Sequence, residues 1–222
     1  MKYTVKFVAT SSIVLALATG LVGCNGSEKT YSEGDIFLKE GSWHEKETGE
    51  LANGIAREYV SGNVLVSEAS IEDGKLEGVK KEYYESGKLQ SEASYENGLL
   101  NGSKKEYYES GELKFEQTFK DDKPTGIAKG YYEGGAVRVE IPYENGLVNG
   151  IEKKYYKTGE LLDELPYVDG KKEGVRKGYS KGTLYVDVTY KNDKPIDGNL
   201  YKADGSSRKL SQREYFELFG LN

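Results

Sequence analysis

Cysteine, histidine and tryptophan each occur once among the 222 residues, and proline occurs four times. With His44 as the sole imidazole, a nucleophilic triad has a single base to draw on, and neither G-x-S-x-G nor H-E-x-x-H occurs. One His and one Cys fall short of the three or four protein ligands that a zinc site uses. The acidic stretches Glu72-Asp73-Gly74 and Asp121-Asp122 lack the D-x-D-x-D-G spacing of a calcium loop and read as solvated turn acids. Nothing singles out two of the 37 acids as a hydrolytic carboxylate pair. No glycine-rich loop opens a helix to cradle phosphate, because helix-period runs are nearly absent. The chain is therefore expected to have no catalytic residues, no bound metal and no cofactor.

Basic tracts are missing as well. Net charge is −6, and without Lys2 and Lys6 of the leader 29 basic residues face 37 acidic ones, or −8. Lysine pairs at 80–81, 104–105 and 153–154 sit among glutamates, a poor match to nucleic-acid binding. Hydrophobic content is only 36%, yet 19 residues are Tyr, which suits a thin sheet covered by amphipathic rings better than a thick core. The 28 glycines against four prolines point to many tight turns.

A unit of 24 residues is present instead. YYESGKLQSEASY starts at Tyr83, YYESGELKFEQTF at Tyr107, YYEGGAVRVEIPY at Tyr131 and YYKTGELLDELPY at Tyr155. Gly87, Gly111, Gly135 and Gly159 share that interval, as do Gly78, Gly102, Gly126, Gly150 and Gly174. Fixed-period self-similarity marks a repeat architecture. The run Leu89, Ser91, Ala93, Tyr95 alternates with polar neighbours, as do Leu113 to Phe119, Val137 to Tyr143 and Leu184 to Tyr190. Period-two alternation predicts half-buried antiparallel strands, and Asn97-Gly98 and Asn145-Gly146 supply the positive φ of two-residue hairpin turns. Asp121-Asp122 and Asn192-Asp193 stand where two units lack that Asn-Gly. The fold class is all-β: an elongated single-layer antiparallel meander of about six to seven 24-residue hairpin repeats with a short C-terminal capping helix.

Tyr83-Tyr84, Gly87, Leu89, Tyr95, Gly98 and Gly102, with their counterparts 24 residues on, resemble the MORN-repeat variant found in many bacterial proteins. The resemblance covers about residues 50–205 and implies a twisted β-meander with a lined groove. Some members of that family look like antitoxins or immunity proteins. Adjacent residues in each Tyr pair face opposite sides. Tyr83, Tyr107, Tyr131 and Tyr155 are expected to pack with Val79, Ile127 and Ile151. Tyr84, Tyr108, Tyr132 and Tyr156 are the candidate binding column, partly exposed beside Lys and Glu, although tyrosine ladders are more often structural.

Residues 1–23 have a positive start and an apolar stretch, the layout of a secretory signal peptide. They end at Leu21-Val22-Gly23-Cys24, which resembles the lipobox of bacterial lipoproteins, where the cysteine carries diacylglycerol. That accounts for a lone Cys in an exported chain. Residues 24–34 then read as the lipidated Cys and a flexible polar tether, 35–207 as the array and 208–222 as a cap. Ile36–Leu38 is expected as a short edge strand, with Trp43 and His44 in an atypical opening unit. Ser211 and Glu214 have capping-box spacing ahead of a helix over Gln212–Phe219.

Two functions are compatible with these features. The first is a non-catalytic, membrane-anchored lipoprotein of the bacterial cell envelope that binds protein, glycan or lipid through its repeats. With Asn25 rather than Asp after the cysteine, it would sit in the outer membrane of a two-membrane host. The second is an immunity protein or antitoxin that neutralises a toxin; an envelope hydrolase ranks last. Cys24→Ser is expected to abolish lipid labelling and membrane fractionation together, and persistent labelling would refute the lipobox reading.

Overall fold

Alternating half-apolar strands joined by positive-φ turns build one continuous ribbon. A computed structural model describes residues 29–32, 34–211 and 213–214. The leader and Cys24 lie outside them. The strands Gly54–Val60, Val64–Glu72, Gly78–Tyr83, Leu89–Glu96, Leu99–Tyr107, Leu113–Lys120 and Lys123–Tyr131 each pair antiparallel with the next. The order continues through Val137–Glu144, Gly150–Tyr155, Leu161–Val168, Gly174–Ser180, Thr183–Lys191 and Lys194–Tyr201 to Ser207–Lys209. From Gly54 onward sequence neighbours are sheet neighbours, so contacts stay local.

Each unit turns twice, and the two turn types line opposite long sides of the ribbon. On one side are two-residue turns with both central φ positive, as at Asn97 (53°) and Gly98 (81°). Asp121 (49°) and Asp122 (63°) adopt the same conformation, as do Asn192 (47°) and Asp193 (67°). The units without Asn-Gly thus keep the turn, because Asp and Asn tolerate the left-handed region. On the other side the Tyr-Tyr segments turn through Gly87 and its equivalents, with the Tyr84 N–H on the Lys88 carbonyl at 2.9 Å. A bulge flanks each such turn, at Glu82/Tyr83 for instance, and adds to the twist.

Register distinguishes the two faces. Glu82 opposes Ser91, Gly130 opposes Val139, and Gly178 opposes Val186. Residues aligned with these form the inner face, and they include the strand residues of lowest exposure: Ala69, Ile71, Ser91, Ala93, Gln117, Ala128, Val139, Asp163, Leu165, Val186, Val188 and Tyr190. Apolar packing concentrates at the ends of the array. Leu165, Val186, Val188, Tyr190 and Leu210 form one cluster, and Tyr31, Ala52 and Ile71 with Ile36 and Trp43 form the other. The middle units contribute smaller or polar groups such as Ser91, Ala93 and Gln117.

Four expectations need correction. Ile36–Lys39 forms the expected strand, but it pairs only with Ser42–Glu45 in a separate hairpin and does not edge the main sheet. The N-terminal edge is Thr30–Tyr31, parallel to Gly54–Val60, so the polar stretch is docked rather than free by Thr30. Tyr31 drives this docking: its ring is 3% exposed and its hydroxyl accepts from the Asn53 N–H at 2.9 Å. At the other end, Ser207–Lys209 extends the array by pairing with Asn199–Tyr201. Finally, Val79, Ile127 and Ile151 lie on the outer face, 45%, 56% and 49% exposed, because register places Lys80 and Glu82 on the inner one.

At the C-terminus Arg213 and Glu214 begin a helical turn. The Ser211 N–H donates to Glu214 Oε2 at 2.9 Å and the Glu214 N–H approaches Ser211 Oγ at 3.4 Å, so the reciprocal capping box is in place. The rest of the expected helix, Tyr215–Phe219, lies outside the described residues, as does Gln212.

Gly178 gives a direct test of inner-face packing. A Cβ there would lie 2.6 Å from Val186 Cγ1 and 3.1 Å from Tyr185 Cε1. Gly178→Ala is expected to cost about 1–3 kcal/mol, read as a lower urea midpoint at unchanged slope.

Candidate binding surface

Charge is organised on the outer face with the same period as the strands. Directly opposed residues run Arg57, Glu68, Lys81, Glu92, Lys105, Glu116 and Lys129 across the sheet. They continue through Glu140, Lys153, Glu164 and Lys177 to Asp187. Signs alternate at every strand. Approaches include Arg57 Nε to Glu68 at 2.7 Å, Lys129 Nζ to Glu140 at 3.2 Å and Lys105 Nζ to Glu92 at 3.8 Å. Each opposed pair contributes about 0.2–1 kcal/mol, and a register slip would lose the pairing of signs along the row.

The first tyrosine column closes this ladder along one side. Tyr107 donates to Glu92 at 2.7 Å, Tyr131 to Glu116 at 2.6 Å, Tyr155 to Glu140 at 2.9 Å and Tyr179 to Glu164 at 3.0 Å. Burial first, and then the adjoining carboxylate, push Tyr107, Tyr131 and Tyr155 up to about 12. The same contact works on its partner: the Tyr155 hydroxyl, ahead of Lys129, holds the Glu140 carboxyl below its ordinary range.

The second column, Tyr84, Tyr108, Tyr132 and Tyr156, is half-buried. Each hydroxyl donates to the backbone carbonyl of the first tyrosine in the next unit. Tyr84 reaches Tyr107 at 2.6 Å, Tyr108 reaches Tyr131 at 2.7 Å, Tyr132 reaches Tyr155 at 2.8 Å and Tyr156 reaches Tyr179 at 3.0 Å. These four bonds stitch consecutive units along one side of the ribbon. Along the other, the Gly98 N–H donates to the Leu76 carbonyl at 2.9 Å, and Asp122 and Gly170 repeat the contact with Leu100 and Val148.

The rings of the second column are partly exposed. Lys114 Nζ stands 5.7 Å from the Tyr108 ring centre, within cation–π range. Tyr84 lines an open recess of about 250 Å³ with Glu82, Gln90, Ser91, Lys104, Glu106, Tyr107 and Lys114. Both of its carboxylates are paired, Glu82 with Lys80 at 2.7 Å and Glu106 with Lys104 at 2.9 Å, while Ser91 Oγ donates to Glu82 at 2.8 Å. Burial pushes the Glu82 carboxyl up, but Lys80, Ser91 and Lys104 outweigh it and hold it below its usual range. Such a recess offers a stacking ring and both signs of charge to a polar ligand. Among the described residues, no group of three or more His, Cys, Asp or Glu could hold a metal ion.

The geometry defines a solenoid-like β-repeat protein with a polar inner recess and a charge-laddered outer face. Residues 72–97, 100–121, 124–145 and 148–169 match the MORN repeat variant, so the chain carries four consecutive repeats of that kind. No curated protein matches the chain.

The two tyrosine columns were identified from the sequence, but the first was expected inward and instead bonds to the outer carboxylates, and the ladder was not anticipated. Its signal was available, since Glu92, Glu116, Glu140 and Glu164 recur every 24 residues, as do Lys81, Lys105, Lys129, Lys153 and Lys177.

The raised tyrosines set an alkaline limit. Folded hydroxyls titrate near 12 and unfolded ones near 10, so the native state holds more protons in between. Their stabilisation is complete below about pH 10 and lost as pH rises towards 12. Urea midpoints measured across that window should fall, and the combined Tyr107→Phe, Tyr131→Phe and Tyr155→Phe variant should show a flatter decline.

Proposed function

We propose that the chain is a non-catalytic lipoprotein of the bacterial cell envelope, anchored through acylated Cys24, whose MORN-variant array docks a partner protein. In a two-membrane host it belongs to the outer membrane. The observation that carries the docking role is the recess beside Tyr84. In a single-layer ribbon the inner face has no second sheet to cover it, and the recess offers an aromatic ring next to fixed, paired charges. Tyr108, Tyr132 and Tyr156 repeat that ring along the array, and tyrosine is enriched at protein interfaces, with charged groups suiting their polar rim. The leader and the Leu21-Val22-Gly23-Cys24 sequence support the anchor.

A second reading is an immunity protein or antitoxin. It is favoured by the distribution of charge. The outer ladder is balanced, with six cations against six anions, so the net −6 of the chain resides elsewhere and suits a basic toxin surface.

A photo-crosslinking residue at Gln90 or Lys114, in the full-length protein in its own envelope, separates these ideas. The docking role predicts a discrete protein adduct from both positions. An intact, lipidated protein that yields no adduct from either would end it. An adduct with a toxin, together with sensitisation of cells when the gene is deleted, would select the second reading.

A further inference from the structure

We infer that the N-terminal hairpin, Ile36–Lys39 with Ser42–Glu45, rests in the bilayer interface beside Cys24, with Phe37 and Leu38 as its lipid-facing contacts. The inference rests on the reading of Cys24 as the acylated residue and adds an orientation to it.

The first observation is length. Lys29 is already fixed to the fold: its carbonyl accepts from the Ile55 N–H at 2.8 Å and its Nζ pairs with Glu45 at 2.6 Å. Tyr31 is clamped behind it, its hydroxyl 2.7 Å from Glu45 Oε1. Four residues lie between Cys24 and Lys29, and fully extended the five steps span at most about 18 Å. An acyl group on Cys24 would therefore hold this end of the array close to the lipid surface, with little slack.

The second observation is what that end presents. The hairpin lies outside the main sheet's ladder but is held against its first unit: the Trp43 N–H donates to the Gly74 carbonyl at 2.7 Å, Ile36 and Trp43 pack on the Tyr31 cluster, and Glu45, opposite Ile36, pairs with Lys29. Leu38 is 60% exposed and Phe37 39%, on opposite faces of the hairpin and both next to the turn at Glu40-Gly41, so its tip presents an apolar side chain on either side. Phe37 stacks on His44 with ring centres 5.7 Å apart, and Trp43 lies directly opposite Leu38. Aromatic residues with a polar edge favour the headgroup boundary, and exposed apolar side chains near an anchor add to membrane hold. Lys29, Lys39 and Lys46 stand among Glu40, Glu45 and Glu47, so the contact relies on apolar insertion rather than on anionic lipid.

Trp43 is the only tryptophan and reports on this hairpin alone. The test uses the full-length lipidated protein in phosphatidylcholine vesicles, with part of the lipid brominated near the headgroup. Trp43 emission is expected to fall about two-fold relative to unbrominated vesicles. Leu38→Gln and Phe37→Gln should each relieve the quenching while the protein still floats with the vesicles. Inserting about ten Gly/Ser residues between Cys24 and Lys29 should relieve it too, by loosening the tether.

Unchanged emission in protein that carries lipid and floats would overturn the interfacial contact while leaving the anchor standing. Quenching that both substitutions leave intact would overturn the roles of Phe37 and Leu38. A dimer in detergent that Leu38→Gln dissolves, without quenching in vesicles, would assign the patch to a second copy. Absence of lipid on Cys24 would remove the anchor and this inference with it.

Discussion

A one-layer sheet has no opposing layer against which to bury its side chains, and that constraint shapes every other feature. A single hairpin is marginal in water. Here each hairpin is secured by its neighbours in sequence, through three parallel sets of interactions. Turn-to-turn backbone bonds run along one side, Tyr-to-carbonyl bonds along the other, and the charge ladder crosses the outer face between them. None of these needs a thick core. All depend on the same interval, so each unit repeats the geometry of the last.

The ends cannot use a neighbour that is absent, and there the chemistry changes. Tyr31, Ala52 and Ile71 form an apolar plug at the start, while Leu210 joins Leu165, Val186, Val188 and Tyr190 at the finish. Repeat arrays need such caps because an open sheet edge is a template for unwanted pairing. The middle of the array is correspondingly free to carry polar groups, and the recess beside Tyr84 lies there. Gln117 shows the cost of polarity in a confined site: its Nε2 donates to the Thr118 and Thr125 carbonyls, while its buried Oε1 finds no partner among the described residues. The corresponding positions in other units are Ala93, Ile141 and Leu165.

Much of this organisation was legible in the order of residues. Alternation identified Leu89, Ser91, Ala93 and Tyr95 as one face, and the Asn-Gly pairs located one set of turns. The error over Val79, Ile127 and Ile151 is instructive. Hydrophobicity suggested an inward position, but the register aligns Glu82 with Ser91 and leaves the valine and isoleucines outside. Alternation reports that two faces differ, not which one the sheet curls around. The docking of Tyr31 was equally hidden, because a two-residue parallel strand in a polar stretch carries no periodicity. For the second tyrosine column, the order of residues located Tyr84 and its equivalents but not the carbonyls that their hydroxyls reach.

The sequence by itself determined the unit, its length, its turns and the all-β class, since these follow from local dihedral preference and short-range alternation. Only the tertiary structure decided how units lock together. The hydroxyl of Tyr84 meets the carbonyl of Tyr107, and Glu92 stands between Lys81 and Lys105, because bulges and hairpin registers bring together residues from neighbouring strands and units. That juxtaposition is a property of strand pairing, which no single unit contains.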